Sequence, residues 1–90
     1  MLVRFKNDRE LSDKILAAVE GLPTSSKLFK DAVGVVSRTF ENAFNKGIRY
    51  NEMTKIISAL NKHSPKLCLI YADVVESVPK QIKDVVSANV

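Results

Sequence analysis

The chain has 90 residues, 46% of them hydrophobic and 27% charged, with a formal net charge of +4. That composition sets it apart from disordered chains and gives it room for one small core. One cysteine rules out an intrachain disulfide, and no apolar run approaches the length of a membrane span or a signal-peptide core.

Met1-Leu2-Val3-Arg4-Phe5-Lys6 opens the chain, alternating apolar and basic from Val3 onward. This period of two predicts a half-buried strand with Val3 and Phe5 inward and Arg4 and Lys6 outward. A lone strand cannot satisfy its own backbone, so it needs a partner. The simplest one in a mainly helical chain is the same strand of a second copy. A ribbon carrying Arg and Lys on one face fits the DNA major groove. Two plainer readings stand beside it. The strand pairs elsewhere in its own chain, for instance with Leu67 to Tyr71, or the segment merely precedes the first helix.

Asn7 or Asp8 can cap a first helix, with Glu10 in its first turn and Leu11, Ile15, Leu16, Val19 and Leu22 at helical spacing. Gly21 and Pro23 end it near Glu20. Thr24-Ser25-Ser26 is the next cap cluster. A longer helix is predicted from there to about Asn45, on a stripe of Leu28, Phe29, Ala32, Val33, Val36, Phe40, Ala43 and Phe44. Gly34 falls inside it, either permitting close helix approach or simply tolerated. Lys46-Gly47 is the stop. Asn51 can cap a third helix with Met53, Ile56, Ile57 and Leu60 on its apolar face. Ser64-Pro65 opens a fourth with Leu67, Ile70, Tyr71, Val74 and Val78, broadened by Cys68 and Leu69. Pro79 begins a short last helix with Ile82, Val85 and Val86 inward. The expected fold is therefore mainly α: one N-terminal strand in an intermolecular ribbon, then four or five helices, in a single dimeric domain over residues 1–90.

The strand Leu2-Val3-Arg4-Phe5-Lys6, the segment Pro23-Thr24-Ser25-Ser26-Lys27-Leu28-Phe29-Lys30-Asp31-Ala32-Val33 and the distance between them resemble the ribbon-helix-helix DNA-binding family of the Arc and methionine-repressor type. The likeness covers residues 1–45 and leaves 46–90 as a helical extension. It implies that Leu2, Arg4 and Lys6 face the groove and that Ser25, Ser26 and Lys27 hold the DNA backbone. The chemistry suits those roles: Arg bonds bidentately to guanine, and a helix N-terminus favours a phosphate. The function implied is that of a cytoplasmic homodimer on double-stranded DNA, a repressor or a plasmid or phage accessory factor. Charge supports this weakly, because residues 1–45 hold seven Lys/Arg against six Asp/Glu.

A second reading is a helical protein–protein interaction module without DNA contact, docking through the apolar helix at 66–78. A helix-turn-helix around Gly47 to Leu60 is disfavoured, because its reading helix, Ser64 to Tyr71, is too apolar for a groove. The chemistry of an enzyme is hard to assemble, and no catalytic, cofactor or metal residues are proposed. His63 stands alone and suits a helix end. Cys68, flanked by Leu67 and Leu69, reads as a buried small hydrophobe. Asp73 and Glu76 form a carboxylate pair on one helix face at most.

Overall fold

The N-terminal alternation does make a strand. In the computed structural model, which describes residues 2–25 and 27–78, β1 spans Leu2–Phe5 with Val3 and Phe5 buried. Next come α1 (Arg9–Ala18), α2 (Lys27–Val33), α3 (Ser37–Asn42), β2 (Ile48–Arg49) and α4 (Tyr50–His63). A 3-10 turn at Pro65–Leu67, α5 (Tyr71–Val74) and β3 (Val75–Ser77) complete the described chain. The helix expected from Pro79, with Ile82, Val85 and Val86, lies outside the described residues. None of the described helices is long and apolar enough to cross a membrane.

The intermolecular ribbon is not how β1 is satisfied. The sheet has the order β2-β1-β3 and is antiparallel throughout, so β1 is its middle strand. Leu2 and Val3 face Arg49 and Ile48 on one side, while Val3, Arg4 and Phe5 face Ser77, Glu76 and Val75 on the other. Bonding continues past the ladders. The Phe5 N–H donates to the Ala43 carbonyl at 2.8 Å, Lys6 N–H to Val74 at 2.9 Å, and Val78 N–H to Leu2 at 2.9 Å. With both edges occupied by the same chain, β1 has no row of backbone groups to offer a second copy. The strand does pair within its own chain, though not with Leu67 to Tyr71.

α4 is the centre of the core. Met53, Ile56 and Leu60 are fully buried and Ile57 nearly so, which is the face its spacing predicts. At its start, the Glu52 carboxylate accepts the Arg49 N–H at 3.1 Å. α1 is capped as expected: Asp8 Oδ1 accepts the Leu11 N–H at 3.2 Å. Ile15 buries its inner face, but Leu16 stays 49% exposed. Phe29, Phe40, Phe44 and Phe5 form a chain of rings with successive centroids 5.4, 5.3 and 4.9 Å apart. This chain carries the core from α2 to the sheet.

The long helix to Asn45 is instead two short ones. α2 stops just before Gly34, whose φ is +83° and whose N–H donates to the Lys30 carbonyl. Val36 is then extended and starts α3. The break rotates the stripe: Val35 is buried, whereas Val36 and Leu28, both expected inside, are 52% and 63% exposed. The fourth helix also fails to form. Cys68 adopts a left-handed conformation with φ 46°, and after the four-residue α5 the chain turns extended to pair with β1. β-branched Val75, the first residue of β3, suits that extended path. Cys68 is exposed rather than buried, and so is Ile70.

Candidate functional site

The residues assigned to DNA contact are held in three different ways. Leu2 is 43% exposed on the outer face of the sheet. Arg4 shares that face but is already engaged. Its Nε lies 3.0 Å from Glu76 Oε2, both side chains are only about one-third exposed, and Nη1 reaches the Asn45 carbonyl at 3.5 Å. Lys6 lies beyond the strand and is exposed. On the helical side, Ser25 is an exposed turn residue and Lys27 is the exposed first residue of α2. Ser26 lies outside the described residues. α2 has only seven residues, so few aligned peptides stand behind a phosphate at its N-terminus.

Asp73 and Glu76 do not form a carboxylate pair on one helix. Asp73 belongs to α5, while Glu76 is in β3 and bonded to Arg4. Exposed His63 reaches another helix end: its Nε2 lies 3.1 Å from the carbonyl oxygen of Ala18, the last residue of α1, and donates to it. That bond ties the C-terminal ends of α1 and α4 together. No cluster of three or more His, Cys, Asp or Glu able to hold a metal occurs among the described residues.

A concavity of about 900 Å³ lies between α2 and α4. Thr54, Lys55, Ser58, Ala59, Lys62 and His63 form its floor on α4. Leu28, Asp31 and Ala32 of α2 and Gly34 just after it form the wall, and Leu22 also lines the groove. Gly34 brings the two elements together, because a Cβ there would stand 2.9 Å from the Lys55 carbonyl oxygen and 3.3 Å from Ala59 Cβ. Lys55 and Lys62 are exposed and form no ion pair with a described residue. A narrower cleft of about 420 Å³ lies on the other side of α2, lined chiefly by Leu16, Val19, Leu22, Phe29, Phe40 and Phe44.

Sequence reasoning missed both clefts, although part of the first was readable. Asn51, Lys55, Ser58 and Lys62 recur at helical spacing on the polar side of α4 and include no carboxylate. It also missed Asn61. Its Oδ1 accepts the Leu69 N–H at 2.7 Å and its Nδ2 donates to the Leu69 carbonyl at 2.9 Å, which fixes the chain leading into α5. Comparison with protein families, with curated proteins and with solved structures finds no match to this chain.

Proposed function

We propose that this chain is a helical protein–protein interaction module, docking beside α2 rather than through residues 66–78. The observation that carries this reading is Leu28, 63% exposed on the wall of a 900 Å³ groove. Exposed leucines are ordinary when scattered. Here Leu28, Leu22 and Leu16 line clefts on the two sides of one short helix, with Leu22 in both. Such placement suits a partner that buries apolar side chains in a groove. The sheet no longer calls for a second copy, since β1 is filled within the chain. A cytoplasmic location fits the single free thiol of Cys68.

Binding to double-stranded DNA is a second reading, supported by charge alone. Residues 27–66 hold eight Lys/Arg against three Asp/Glu. A ribbon in the major groove has no part in it.

A photo-crosslinking residue placed at Leu28 in cells, with Asp13 as an exposed control, separates the two. The module reading expects one discrete protein adduct from position 28 and none from 13. Adducts to nucleic acid, or equal labelling from both positions, would overturn it. For DNA, a mobility shift that fades as salt rises is expected. Arg4→Ala should leave any shift unchanged, because Glu76 already holds that guanidinium.

A further inference from the structure

We infer that the groove between α2 and α4 takes an acidic amphipathic helix of another protein. This rests on the module reading and names the partner's chemistry.

The groove's apolar part is small and shallow. Ala32, Ala59 and Gly34 lie where the two helices meet, so another helix can approach closely, and Leu28 stands above them as a side wall. Its polar part reduces to cations. The Thr54 hydroxyl is already spent, donating to the Asn51 carbonyl at 2.8 Å, and His63 is turned to Ala18. Ser58, Lys55 and Lys62 are left, opposed by Asp31 alone. The two lysines are seven residues apart on one helix, which places them about 10 Å from each other along the axis. Carboxylates two turns apart on a partner helix match that spacing. The leucines between them would meet Leu28 and Leu22.

Charge also selects among occupants. A second copy carries +4 overall, and residues 79–90 carry Lys80, Lys83 and Asp84, a net of +1. Neither complements a groove flanked by lysines that pair with no described residue. Single-stranded nucleic acid would supply negative charge, but it gains affinity by stacking bases on aromatic rings. The residues lining this groove include no Phe, Tyr or Trp, and its one ring, that of His63, is turned to the Ala18 carbonyl.

The probe is a labelled helical peptide of about four turns with leucine along one face and glutamate along the other. A matching peptide has lysine for glutamate. Anisotropy titration against the full chain should show the glutamate peptide binding at least about tenfold more tightly, with the preference shrinking as salt rises. The double variant Lys55→Glu, Lys62→Glu should reverse the preference. That reversal is a gain of binding for the lysine peptide, which misfolding cannot produce. Leu28→Ala should weaken both pairings. Equal binding of the two peptides, no binding by either, or a preference that survives the double reversal overturns the inference. So does displacement of the glutamate peptide by an oligonucleotide of equal charge. A protein adduct at position 28 alongside peptide failure would leave the module standing and reject only the acidic helix.

Discussion

Replacing Gly34 with alanine tests the packing that shapes the groove, and Gly21 provides an internal reference. Both residues have positive φ, +83° and +87°, so an alanine at either pays a left-handed conformational cost of about 1–2 kcal/mol. They differ in surroundings. A Cβ at Gly21 meets nothing within 4 Å, whereas one at Gly34 lies 2.9 Å from the Lys55 carbonyl oxygen and 3.2 Å from its carbon. Both atoms belong to the backbone of α4, which cannot swing aside as a side-chain tip would. The separation of α2 from α4 must therefore grow by several tenths of an ångström, and overpacking of this kind costs about 1–3 kcal/mol. Gly21→Ala should lose about 1–2 kcal/mol and Gly34→Ala about 2–5. A domain of this length has roughly 5–13 kcal/mol in all. Urea unfolding followed by circular dichroism reads the difference directly. A gap of about 2 kcal/mol corresponds to roughly 8–16 °C in Tm. Equal losses in the two variants would refute the close approach of α2 to α4 and reduce Gly34 to a conformational stop.

Asn61→Ala leaves the N–H and carbonyl of buried Leu69 without their partner, and should lower stability by about 1–3 kcal/mol in chemical denaturation. Asn61→Asp keeps the acceptor and loses the donor, so it should fall between alanine and the parent; no measurable loss in Asn61→Ala would contradict the clamp. Burial raises the Tyr71 hydroxyl above its ordinary value of 10.0, with the charge of nearby Tyr50 adding to the effect. The folded state therefore holds this proton more tightly than the unfolded one. Its contribution is complete below about pH 10 and is lost as pH climbs through the raised value. Stability curves from pH 8 to 11 should fall less steeply for Tyr71→Phe, and superimposable curves would dismiss the effect.

What could be read from the chain was local. The Asp8 cap, the Val3 and Phe5 alternation and the face of Met53, Ile56, Ile57 and Leu60 each depend on neighbours within a turn or a pleat. What escaped depends on distant partners. β2 is two residues long and too short to show a period. Val74 and Val78 stand at helical spacing, yet the chain between them is drawn into an extended path by pairing with β1. Gly34 could be read either as permitting close helix approach or as simply tolerated, and only its contact with Lys55 decides for the first. The groove was half legible: the carboxylate-free side of α4 is visible in the sequence, but its opposing wall appears only once α2 has been cut short and Leu28 turned outward. The resemblance to a ribbon rested on a strand whose edges were assumed open, and edge occupancy is a property of topology rather than of the strand's own residues.

The middle position of β1 also sets an order of assembly. The bond from Arg4 to Glu76 spans 72 positions of the chain, and the ladder to β3 cannot form before residues 75–77 are available. α1 to α4 can begin from local contacts, but β1 precedes β3 by about 70 residues and is enclosed only after them. Until then its alternating Val3 and Phe5 stand beside unpaired backbone groups, which is the condition under which strands of separate chains join. Arg4 and Lys6 place like charges near one another when two such segments pair in register. Basic side chains at that position therefore work against such joining while the sheet is unfinished.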